Sequence, residues 1–244
     1  VKVNICLKGI FMQKRRRNYR SGRKIKNTLE QRSVKYIKIG LIVLAVVVIA
    51  AGIIKLVGSG VFRSDKYVEK TGAAIDACRP DMEVALLTVN PYSRPGQETE
   101  RITGIVIHYT ANPGSGAMAN RDYFEGLKDS HETNASSHFV VGLNGEVVQC
   151  IPTWEVAYAS NGRNKDTVSI ECCHPDESGV FDKDTYNSMV ELTAWLCLKF
   201  DLNEKDVIRH YDVSGKNCPK HFVEDENAWD QFRKDVKKQL KKIK

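Results

Sequence analysis

Residues 39–54 read Ile-Gly-Leu-Ile-Val-Leu-Ala-Val-Val-Val-Ile-Ala-Ala-Gly-Ile-Ile, and this uncharged run divides the chain before any fold is considered. Sixteen such residues cover roughly 24 Å as a helix. Lys38 and Lys55 flank the run and can snorkel outward, which predicts a membrane span over 37–57. A buried core helix would show a polar face, and this run has none. A cleaved signal peptide would carry a small-residue site after the run, whereas Ala50, Ala51 and Gly52 lie inside it. The expectation is a single-pass, uncleaved signal anchor in a cell membrane. The chain opens on Val1 with a methionine at Met12, so the first eleven residues are read as an extension and Cys6 receives no role.

Charge divides the chain at the same place. Thirteen of the 37 Lys and Arg residues, against one of the 30 acids, fall before the run, so a tail near +12 precedes a remainder near −5. Residues 1–36 therefore read as a disordered basic tail, cytoplasmic by the positive-inside rule, with everything after the span outside. The excess of basic residues sits in a tail with no core-forming pattern, whereas a nucleic-acid-binding protein would carry it over a folded face. Setting aside Cys6 and Cys218, the odd set of Cys78, Cys150, Cys172, Cys173 and Cys197 does not demand disulfides. A bridge from Cys150 to Cys172 or Cys173 stays open if their strands are neighbours, and Cys197 reads as a buried thiol.

Residues 58–100, with Pro80, Pro91 and Pro95, read as an extracytoplasmic stalk and lead-in. From 101 to 244 the pattern predicts strands over 102–109, 137–142, 146–151, 167–173 and 207–209. Helices are predicted over 117–127, 183–200 and 227–240. Asn144 and Gly145 mark a hairpin. The fold class is α/β, a single catalytic domain with a central mixed sheet flanked by helices, preceded by one transmembrane helix.

Two histidines end apolar strands: His108 after Ile105, Val106 and Ile107, and His210 after Val207, Ile208 and Arg209. Cys218 follows eight residues later, beyond a glycine-containing turn. Two imidazoles and a thiolate are one ligand short of a closed zinc site, which is the count of a catalytic zinc with an open position. Glu171 offers a base for a hydrolytic water. The spacing alone is a weak signal. His131, His174 and His221 stand in polar, loop-like sequence and read as ordinary histidines.

Five segments in order carry a resemblance: 104–110 around His108, 136–142 around His138, 144–149 after the hairpin, 166–171 ending at Glu171, and 209–219 holding His210, Lys216 and Cys218. Together they resemble the type-2 N-acetylmuramoyl-L-alanine amidases, the superfamily that includes phage amidase-type lysozymes and peptidoglycan-recognition proteins. The resemblance implies Zn2+ held by His108, His210 and Cys218. The implied reaction is hydrolysis of the amide between N-acetylmuramic acid and L-alanine in bacterial peptidoglycan. It implies Glu171 as the water-activating carboxylate and Lys216 as the group steadying the oxyanion, with His138 contacting substrate or supporting the ligands. Ser137 stands where phage-lysozyme-like members carry a tyrosine, which assigns the chain to the glutamate-dependent branch. Ala157, Tyr158, Ala159 and Ser160 replace the Trp-His-Ala-Gly of many relatives. The expected partners are peptidoglycan or muropeptides and the membrane, with no nucleic acid and a monomeric catalytic domain. The rival expectations are a muropeptide-binding module without activity and a zinc peptidase acting within the stem peptide.

Overall fold

The structure, a computed structural model, describes residues 37–44 and 72–244. Residues 37–44 are helical, with exposed apolar side chains. No helix among the described residues is long and apolar enough to cross a membrane. The basic tail and the rest of the expected span lie outside the described residues.

The folded body is built on a six-stranded mixed sheet. Its strands are β1 (Glu83–Val84), β2 (Gly104–Tyr109), β3 (Phe139–Val141), β4 (Val147–Gln149), β5 (Thr167–Cys172) and β6 (Val207–Arg209). They lie in the order β1-β4-β3-β5-β2-β6, and only the β3–β4 hairpin pair is antiparallel. Central strands of a parallel sheet are covered on both faces and read as continuous apolar runs. Ile105, Val106 and Ile107 of β2 are accordingly fully buried. The hairpin closes through Gly142 and Glu146, with Gly145 at φ +80; a side chain there would also press on Asp184 and Ser188.

Strand alternation sorts side chains between two layers. Ile105, Ile107, Phe139, Val141, Val168 and Ile170 face one cluster, completed by two long helices. These helices are Lys183–Phe200 and Glu226–Ile243. The first buries Met189, Leu192, Leu196 and Phe200. The second buries Trp229, Phe232, Val236 and Leu240, and Asp225 caps it by accepting from Asn227 N and Ala228 N. On the other face Val140, Val148 and Cys150 pack with Phe124 and Leu127 of the helix Ala117–Ser130. His108 and Glu171 alternate onto this second face, so the covering helix borders the cleft described below.

One expectation is corrected and one open question is closed. The lead-in is no free stalk from residue 72 onward. A short helix (Ala73–Asp76) and the edge strand β1 pack on the body, Leu87 is fully buried, and Arg94 makes a bidentate pair with Glu155 at 2.7 Å. Sequence hid this because the strand is two residues long and pairs with the distant Val148 and Gln149, and because Arg94 and Glu155 stand 61 residues apart. Second, Cys78, Cys150, Cys172, Cys173 and Cys197 are all free thiols. Strand β3 separates Cys150 from Cys172 and Cys173, and Cys150 N bonds His138 O whereas Cys173 N bonds Val141 O. Three residues of offset and two strand spacings put the sulfurs far beyond disulfide reach. Cys197 is buried, as expected from its helix face.

Candidate active site

The carboxyl ends of β2, β5 and β6 meet at one edge of the sheet, the usual position for a site in parallel α/β architecture. Strand register sets His108 directly beside Glu171. His210 opens a short helix, His210–Ser214, immediately after β6. Arg209 anchors that turn: it is 7% exposed, pairs with Asp212 and Glu226, donates to Phe222 O and stacks over Trp229. Tyr211 N donates to Cys218 O at 2.9 Å, which folds the following loop back over the strand ends.

The result is convergence. His108 Nδ1 lies 3.1 Å from His210 Nδ1 and 3.9 Å from Cys218 Sγ. All three candidate ligand atoms fall within 4.8 Å of one another, and all three residues are buried. Glu171 Oε1 is 3.9 Å from His108 Nδ1, while Glu171 Oε2 is buried without a hydrogen-bond partner. Lys216 is exposed at the rim of the same cleft, about 380 Å³ in volume, which Tyr158, Asn161 and Asn134 also line.

These residues fit a divalent metal ion. Two nitrogens at about 2.0–2.1 Å and a sulfur at about 2.3 Å from one ion would sit roughly 3–4 Å apart. His108 Nδ1 meets that spacing with both partners, at 3.1 and 3.9 Å, and all three atoms lie within 4.8 Å. Protonation energetics agree. Burial, with the charges of His210 and Lys216, holds His108 well below the usual imidazole range. Burial and then Lys216 also lower His210, so both rings are neutral, the form that ligates. Burial pushes the Cys218 thiol up to about 12, with Glu171 adding to the effect. Burial lifts the Glu171 carboxyl to about 8 against the opposing pull of Lys216. An acid and a thiol held neutral beside two bare nitrogens form a pocket in which a bound dication would lower both groups again.

Residues 98–221, about half of the chain, match the family described as N-acetylmuramoyl-L-alanine amidase. The chain belongs to that family. It is 37% identical over 161 residues to N-acetylmuramoyl-L-alanine amidase CwlL of Bacillus licheniformis, covering 61% of this chain and 44% of the relative. It is 32% identical over 175 residues to N-acetylmuramoyl-L-alanine amidase BlyA of Bacillus subtilis (strain 168), covering 63% and 46%. The chain thus spans less than half the length of these relatives. Among solved structures the fold is similar to PlyL (TM-score 0.57, 23% identity, 66% of this chain and 99% of that one). The catalytic domain of XlyA is also similar (TM-score 0.55, 24% identity, covering 64% and 99%).

Within this amidase-family domain, the structure brings five of the six sequence-selected residues to one cleft: His108, His210, Cys218, Glu171 and Lys216. His138 is the exception and is corrected. It does not line the cleft. Its Nδ1 accepts from Ser169 N at 3.0 Å and its Nε2 donates to Glu155 O at 2.9 Å, so both nitrogens are spent inside the body. Ser137 is equally internal, donating to Ser169 O. His174, expected in polar surroundings, is buried with Nδ1 on Asp176 O. Two residues that sequence reasoning passed over do reach the site: Ser160 Oγ lies 3.2 Å from His108 Nε2 and Asn161 Oδ1 2.7 Å from His210 Nε2. No local pattern marks them, and Ser160 was visible only as a departure from the relatives' motif.

Proposed function

We propose that this chain hydrolyses the amide between N-acetylmuramic acid and L-alanine in bacterial peptidoglycan, with Zn2+ held by His108, His210 and Cys218. The observation that carries the reading is the meeting of those three ligand atoms beside Glu171 in a member of the amidase family. Zinc in such a setting supplies Lewis acidity and makes a hydrolytic water acidic near neutrality. Glu171, with an unpartnered carboxylate oxygen, takes the proton of the attacking water and returns it to the leaving amine. The Lys216 ammonium at the rim opposes the negative charge that develops on the scissile carbonyl oxygen, an effect worth a few kcal/mol for a preorganised donor. The three candidate ligands are buried, and the cleft they line carries the exposed Lys216 at its rim.

Residues 37–57 are proposed to tether this activity to a cell membrane, with the amino terminus cytoplasmic and the amidase domain facing the wall. The support is the uncharged run and the basic residues before it.

Mass analysis of purified wall digested by the full chain tests the activity. Free lactyl-muramic glycan together with intact stem peptides is the expected product. Cuts within the stems would make the protein a peptidase, and tight muropeptide binding without products would make it a recognition module.

A further inference from the structure

One short loop reaches the outward nitrogens of both histidines. We infer that Ser160 and Asn161 are positioning residues that fix the tautomers of His108 and His210, so that each ring turns a bare Nδ1 toward their shared point. The inference rests on the metal-centre reading above.

Asn161 sets the tautomer of His210. Its amide oxygen can only accept, so at 2.7 Å the His210 Nε2 must carry the hydrogen. A neutral imidazole has one N–H, which leaves His210 Nδ1 a lone pair. Ser160 Oγ, 3.2 Å from His108 Nε2, can accept in the same sense and leave His108 Nδ1 bare as well. Two lone pairs then face each other at 3.1 Å, a repulsive arrangement that a shared cation relieves.

The loop is built to hold this aim. Ser160 is 1% exposed. Asn164 Oδ1 accepts from the backbone of Ala159 and Ser160, and Arg163 N donates to Ser160 O. Arg163 is tied in turn to Asp166 and Thr103 at the base of the sheet. Asn161 itself sits at φ +50, a left-handed conformation that Asn tolerates better than most residues. Backbone strain held at a ligand-facing position is the pattern of a site whose geometry is enforced from outside. Partners of this kind commonly change metal affinity by about 10- to 100-fold when removed.

The test uses the full chain and Zn2+ in competition with a chromophoric chelator. Asn161→Gly keeps the left-handed backbone without strain and removes only the acceptor; Asn161→Asp keeps an acceptor. Asn161→Gly is expected to bind Zn2+ about 10- to 100-fold more weakly, with Asn161→Asp restoring most of the loss. Ser160→Ala should lose less. Histidine nitrogen resonances of the metal-free chain should show His210 protonated at Nε2 in the wild type and a tautomer mixture in Asn161→Gly. Cobalt-thiolate absorption should survive in Asn161→Gly, reporting an intact Cys218. Wild-type affinity in Asn161→Gly, equal damage in the Gly and Asp variants, or an unchanged tautomer would overturn the inference. A wild-type chain that binds no Zn2+ would sink the metal reading itself, while the tautomers still decide the positioning role.

Discussion

His108 and His138 flank the same face of β5, one beside Glu171 and the other against Ser169, yet they have opposite fates. His138 lies two residues deeper in the sheet, where backbone groups surround it and every ring nitrogen finds a partner. His108 lies where the strand gives way to loops, and its Nδ1 meets another imidazole and a thiol instead of a saturating donor. Both rings are buried, and burial lowers both, His138 to about 4. Burial of a histidine therefore says little about function. What separates a candidate ligand from a structural crosslink is whether the surrounding groups exhaust its nitrogens.

Replacing Cys218 should break the ligand side of this contrast most completely. Cys218→Ser substitutes a hydroxyl for the sulfur, and zinc content by elemental analysis should fall together with release of wall fragments. Stoichiometric zinc in that variant would show that the thiol is not a ligand. Glu171→Ala should retain zinc and lose about 10²- to 10⁴-fold in rate on wall substrate, the usual range for a missing general base. An undiminished rate would move the base to another group.

On the structural side, His138→Ala should leave Zn2+ affinity nearly unchanged and cost about 3–5 kcal/mol in denaturant unfolding. It opens a cavity and leaves Ser169 N–H and Glu155 C=O unpaired. A loss of metal affinity like that expected for Asn161→Gly would erase the distinction between the two histidines. A smaller, graded effect should appear with pH. His138 is at about 4 in the folded chain against an ordinary 6.5, so the unfolded chain takes up the proton first. Its contribution is fully present above pH 6.5 and is lost as pH falls through 4, amounting to about 3 kcal/mol at most. Unfolding curves of wild type and His138→Asn should therefore converge across that window; parallel curves would mean that the ring is not held neutral.

Much of this molecule was legible from local pattern. The helix Lys183–Phe200 and the strand Val207–Arg209 have the predicted bounds, because apolar periodicity and strand-end histidines are written within a few residues. The edge strand Glu83–Val84 was hidden, since two residues carry no period and the pairing partner is distant in sequence. His138 was misread for a related reason: its partners Ser169 and Glu155 lie 31 and 17 residues away. Ser160 and Asn161 were missed because their importance depends on two rings 52 and 49 residues away.

Side-chain chemistry alone determined which groups were able to ligate a metal, take a proton or oppose an oxyanion, and strand-end position determined where to look for them. Only the tertiary structure decided which of these groups meet. That choice rests on parallel register setting His108 beside Glu171, and on a folded-back loop closing a gap of 110 residues between His108 and Cys218. Affinity for an ion is a property of atoms in space. Sequence names the atoms, but their separation follows from hydrogen-bond register and packing summed over the whole domain.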